Sequence, residues 1–264
     1  MKHMNIKDAG NSDDVDQAMS EAVEKVRQLC RNIQEATAKD EEVWFGNLLS
    51  GILNCALLDY YSVEIGAQKS VYLAAWGRRN LLELKVITMY VLTSESNAIE
   101  FKNDLVIDAK EFYEAITKSH QASHKKLLTA LSEMSGQEEG PTEEMLKGML
   151  RKETERGPQT SATDSEAATY KQLMVDFGLK ENAKPKKAGK IARLISQEED
   201  FDPMFKICSK IMHRTALSIA SSTIRGSLDE VVRFLSGSSA CDLLSIHDAI
   251  NEHFTKRGVL PPEN

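Results

Sequence analysis

The sequence predicts an all-α fold, a multi-helix bundle with long antiparallel helices and a peripheral helical insertion. Three observations carry this. The first 140 residues contain no proline, and the 14 Gly and 6 Pro make about 8% of the 264 residues, against an average near ~12%. Apolar residues recur at three- and four-residue steps through long stretches, the period of a helix face rather than the alternation of a strand. The frequent turn signals of an all-β domain are missing. The length suits a single helical domain over 1–264, with its bundle core in 13–135 and 200–258 and the insertion in 136–199.

The elements follow in order. Val15, Met19, Ala22, Val26, Leu29 and Ile33 form one apolar stripe on an otherwise charged helix, with Asp13 and Asp14 as N-cap candidates. Residues 40–65 are apolar nearly all round, as expected of a helix inside the bundle. Their longest uncharged run, Val43 to Leu58, has 16 residues, short of the ~20 of a membrane span. A third helix is predicted over 68–93. A fourth, over 97–134, carries Leu105, Phe112, Ile116, Leu127 and Leu131 on one side. Pro141 starts a short helix to about Lys152, and 154–165 reads as a polar loop. Another helix ends near Gly178, a C′ glycine. Residues 180–193 hold six basic residues and one acid, a Lys-rich connector. Asp202 and Pro203 form an N-cap and first-turn pair for a helix to about Ile224. Two final helices are expected over 227–235 and 239–254.

Charge and cysteines exclude several classes. There are 33 Lys+Arg against 40 Asp+Glu, a net charge of −7, with a pI near 5.5. That argues against a protein whose whole surface binds nucleic acid, while leaving room for a local patch at Lys184, Lys186, Lys187 and Lys190. Cys30, Cys55, Cys208 and Cys241 show no CxxC spacing and read as small buried hydrophobes in a reducing cytoplasm. No charged-then-apolar leader precedes the first helix. His120 and His124 share the H-x3-H step of a helical metal site, but no third ligand follows, and Lys118, Lys125 and Lys126 oppose a cation. Neither a metal nor a cofactor is expected, since nucleotide-loop, nucleophile-elbow and zinc motifs are absent.

Two helices hold the candidate chemistry. Tyr72, Trp76, Arg79, Glu83, Val86 and Tyr90 share one face of the third helix. On that pattern the face is core-directed, with Arg79 and Glu83 able to pair one turn apart. Arg78 and Lys85 are assigned to another face, within reach of solvent. On the helix after Pro203, Lys206, Ser209 and His213 lie opposite the apolar face, and Leu217, Ala220 and Ile224 continue their stripe, which puts His213 at a cleft rim.

The segments GRRNLLELKVITMYVL (77–92) and FKICSKIMHRTALSI (205–219) resemble those of an uncharacterised bacterial all-helical family related to the HEPN superfamily. HEPN proteins belong to toxin, phage-defence and RNA-processing systems. The resemblance implies RNA or a nucleotide as partner and a homodimer as assembly. On it Arg79, Glu83 and His213 would be catalytic, and Lys206 and Ser209 would bind ligand; the aromatic stripe around Arg79 adds Tyr72 and Trp76 as ligand-binding candidates. The Arg-x4–6-His spacing of HEPN ribonucleases does not occur here. The alternative is a non-catalytic helical interaction or scaffold protein.

Overall fold

The computed structural model describes residues 12–38, 43–134, 143–156, 161–180, 182–213 and 227–261. Among these there is no strand, and nine helices account for nearly all of them, so the fold is all-α. They are α1 (Ser12–Thr37), α2 (Val43–Lys69), α3 (Val71–Thr93), α4 (Glu95–Met134) and α5 (Glu143–Arg156), followed by α6 (Ser161–Asp176), α7 (Ala188–Leu194), α8 (Glu198–Met212) and α9 (Ser227–Lys256). No helix among the described residues is long and apolar enough to cross a membrane.

The chain forms two compact units. One comprises the residues up to Ala98 and those from Lys187 onward; the other is Ile99–Lys186, which takes in most of α4 along with the segment after it. In the first unit α3 is the central helix, packed against α2, α7, α8 and α9. The stripe of α1 is buried as expected at Val26, Leu29 and Ile33, and α2 and α9 contribute Leu49, Leu53, Leu243, Ile246 and Ile250 to the same core. The second unit is smaller. Val106 and Ile107 of α4 meet Met174 of α6, with Tyr170 and Leu179 beside them.

Helices α2 and α3 form an antiparallel hairpin with Ser70 as its hinge, since the Asp59 carboxylate accepts from the Asn80 amide at 3.0 Å. Their backbones approach so closely that a Cβ on Gly66 would fall on the Ala74 backbone and one on Gly77 on the Asp59 carbonyl.

Gly178 is a C′ glycine, at φ +66°. Its N–H bonds the Val175 carbonyl and the Leu179 N–H bonds that of Met174, closing a Schellman cap.

Four expectations need correcting. Helix α8 begins at Glu198, a turn before Asp202, with Pro203 inside it; Glu198, Glu199 and Asp200 occupy the first turn, where acids suit the positive end of the helix dipole. Within the Lys-rich connector, 188–194 is helical because Ile191 and Ala192 bury themselves. The two final helices are one. The Ser238 and Ser239 hydroxyls donate to the Leu235 carbonyl one turn back, so the serine-rich stretch at 236–239 continues the helix instead of breaking it. The loop read at 154–165 is helical up to Arg156 and again from Ser161. The continuation of the Pro203 helix to Ile224 lies outside the described residues. Cysteines divide evenly: Cys30 and Cys208 are buried, whereas Cys55 and Cys241 are exposed.

Candidate functional site

The face of α3 that begins at Tyr72 is not uniformly core-directed. Val86 and Tyr90, near its end, are buried, but Tyr72 is 39% and Trp76 44% exposed, and the side chains of Arg79 and Glu83 keep 26% and 31% of their surface. The helical period predicts which residues share a face; how far a neighbouring helix extends over that face decides their burial. On this face cover is complete only from Val86 onward.

Arg79 Nε donates to Glu83 Oε1 at 3.1 Å, the pairing expected of an i, i+4 step. The Arg79 guanidinium also lies over the ring of Phe205 on α8, 4.4 Å from its centroid, a cation–π contact. Phe205 stacks in turn on Phe201, with centroids 5.1 Å apart. Arg79 is thus fixed in direction by an anion on its own helix and a ring on the next.

Lys206 is exposed, Ser209 is half-buried, and His213 is exposed at the C-cap, its N–H bonded to the Ser209 carbonyl at 3.0 Å. His213 stands eight residues beyond Phe205, a rise of about 12 Å along a helix. The contact that joins Arg79 to α8 is therefore made two turns before His213.

Arg78 and Lys85 are the clearest correction. Arg78 is only 4% exposed. Its Nη1 donates to Asp242 Oδ2 on α9, its Nε donates to the Ser238 hydroxyl at 2.8 Å, and Lys85 Nζ donates to the other Asp242 oxygen at 3.0 Å. The face assigned to solvent is the one α9 covers. A signal for this existed in the sequence. Asp242 lies on a stripe with Leu235, Ser239, Ile246 and Ile250, all buried, and an acid at that position requires a buried cation opposite.

Two titratable groups register these surroundings. Burial pushes the Cys208 thiol up to about 11, although the Arg78 and Arg79 charges pull it back; it is therefore no thiolate near neutral pH. Burial also raises the Asp59 carboxyl; the Asn80 hydrogen bond opposes this and the Glu83 charge adds to it. An acid with a raised native pKa binds protons more tightly folded than unfolded, so stability falls as pH climbs from ~3.9 through the native value. Asp59→Asn should flatten that part of the stability profile and leave the protein no less stable at pH 7. Urea unfolding between about pH 4 and pH 7 checks this.

The Lys-rich segment divides between the units. In the second unit Lys184 pairs with Glu111 and Lys186 with Glu100, while the Lys186 N–H bonds Asp104 at 2.9 Å. These acids stand on one side of α4, so the two lysine charges are matched locally. Lys187 and Lys190 belong to the first unit and are exposed at the start of α7. His120 and His124 lie on α4, exposed and half-exposed. Compared with known protein families, curated proteins and solved structures, the chain matches none.

Proposed function

We propose that the α3–α8 pair binds the phosphate and base of an RNA or nucleotide, in a HEPN-like helical protein of the toxin or phage-defence kind. One observation supports the reading most: Tyr72, Trp76, Arg79 and Glu83 lie along one face of α3 and all four retain solvent exposure. Exposed rings one turn apart offer a surface on which bases stack, and an oriented guanidinium beside them suits a phosphate oxygen. Lys206 adds positive charge, Ser209 a hydroxyl donor, and His213 an imidazole suited to general acid or base work. The matched charges of Lys184 and Lys186 leave the α3–α8 face as the better nucleic-acid surface.

Binding of labelled single-stranded RNA and of nucleotides at low salt tests this. Trp76→Ala should weaken RNA binding by about 1–3 kcal/mol. Arg79→Ala should weaken it for all sequences and flatten the salt dependence. If the protein cleaves RNA, His213→Ala should abolish cleavage while retaining binding. Wild type that binds neither ligand defeats the proposal. The scaffold reading then takes its place, favoured by the internal closure of the Arg78–Asp242–Lys85 and Arg79–Glu83 groups.

A further inference from the structure

In the second unit α4 presents three faces, and other described residues cover two of them. Val106 and Ile107 are buried with Met174 of α6, and Tyr113 stacks on Tyr170 with centroids 5.6 Å apart. A second side carries Glu100, Asp104 and Glu111, which hold Lys186, the Lys186 N–H and Lys184. The third side is apolar and open. Leu105 is 64%, Phe112 60% and Leu127 44% exposed, with Ile116 half-buried between them.

At 100° per residue these four side chains fall within about 60° of one another. Ile116 stands eleven residues from each leucine, close to three full turns, so the stripe runs straight along the helix. From Leu105 to Leu127 it spans about 33 Å, and a helix ~10 Å across then offers roughly 350 Å². An exposed apolar strip of that size marks an interaction surface. It is less than half of the ~800 Å² per partner in a standard interface, which puts the association in the weak, concentration-dependent class.

The pattern of the stripe identifies its occupant. Ile116 is the midpoint between Leu105 and Leu127. Asp108 and Lys126, both exposed, lie five turns apart on one flank of the stripe, and their midpoint is residue 117. A second α4, turned antiparallel about a twofold axis at 116–117, therefore sets each Leu105 opposite Leu127 of the other copy and Ile116 against Ile116. In such a pair like flanks face each other, so Asp108 meets Lys126 twice. A parallel copy would leave these charges about 27 Å apart along the axis. Asp108 gains from a cation opposite it: burial raises its carboxyl, and the Asp104 and Glu111 charges raise it further. We propose that α4 pairs antiparallel with α4 of a second copy of this chain, through the stripe from Leu105 to Leu127, with Asp108 of each copy against Lys126 of the other.

Sedimentation equilibrium of the full-length protein from about 1 to 300 µM tests this. The mass should rise from 29.4 kDa toward twice that value, with the midpoint in the micromolar range. Phe112→Glu should raise the dissociation constant at least about tenfold, because a carboxylate enters an apolar contact at two symmetric places. Leu58→Glu, on an equally exposed leucine of α2, is the control and should leave it unchanged. Asp108→Lys and Lys126→Asp should each weaken the dimer about fivefold by setting like charges opposite. Both reversals in one chain should return it to within about threefold of wild type. Wild type that stays monomeric to 300 µM overturns the proposal. So does equal weakening by Phe112→Glu and Leu58→Glu, and so does a double reversal no stronger than either single one. No nucleic acid is present, so none of these results depends on whether the α3–α8 face binds RNA.

Discussion

Replacing Asp242 with alanine should destabilise the protein by about 3–5 kcal/mol, the usual cost of stranding a buried charge. Asp242 accepts from both Arg78 and Lys85, and Arg78 is almost wholly enclosed between α3 and α9. Without the carboxylate, the Ser238 hydroxyl remains to Arg78 as a neutral partner. Lys85, at 21% exposure, can turn toward water; Arg78 cannot. The charges themselves need not be the source of stability. The double variant Arg78→Met, Asp242→Leu should recover most of the loss, because apolar groups of similar volume replace a desolvated ion pair at little net cost. Urea midpoints of wild type, Arg78→Met, Asp242→Leu and the double variant give the cycle, with Asp242→Ala measured beside them. A loss below about 1 kcal/mol in Asp242→Ala would show that Arg78 reaches solvent when its partner is removed.

Gly77→Ala should cost about 1–3 kcal/mol even though alanine is the better helix former. The added methyl falls on the Asp59 carbonyl oxygen of α2, with Ser62 Cβ and Val63 Cγ2 each 3.0 Å away. The obstacle is backbone, so relief requires α2 and α3 to move apart, disturbing Asp59–Asn80 and the helix that carries Arg78 and Arg79. Gly51→Ala is the control. It lies on α2 with nothing within 4 Å of the added atom, and should gain up to ~1 kcal/mol from propensity alone. Equal effects at the two positions would exclude a helix contact at Gly77.

Much of the fold was legible in the sequence for a simple reason. A helix that buries one side repeats its apolar residues at a fixed period, and α1 does so from Ala22 to Ile33. α2 and α3, apolar on most sides, declare themselves interior helices in the same way. The boundaries that misread, at Asp202 and across 236–239, involved residues whose preferences depend on what lies around them. Serine hydroxyls can end a helix or bond back into it, and a proline near a helix start can stand at the first position or farther in. Ile191 and Ala192 are too few to show a period, so α7 becomes visible only when its neighbours bury them.

The candidate site divides along the same line. By itself the sequence determined that Arg79 and Glu83 stand one turn apart on a shared face with Tyr72 and Trp76, and that Lys206 and Ser209 ride together on a later helix, which ends at Met212 and leaves His213 at its C-cap. These are relations within one helix, fixed by 3.6 residues per turn. Which face meets which neighbour was decided only in the tertiary structure. It exposed Tyr72 and Trp76, buried Arg78 against Asp242, and set Arg79 over Phe205. Residues on α3 and α9 that pair in space lie more than 150 positions apart in the chain, and the helical period carries no information across that distance. Burial and charge pairing are properties of two surfaces in contact, and a single strand of sequence describes each surface without its partner.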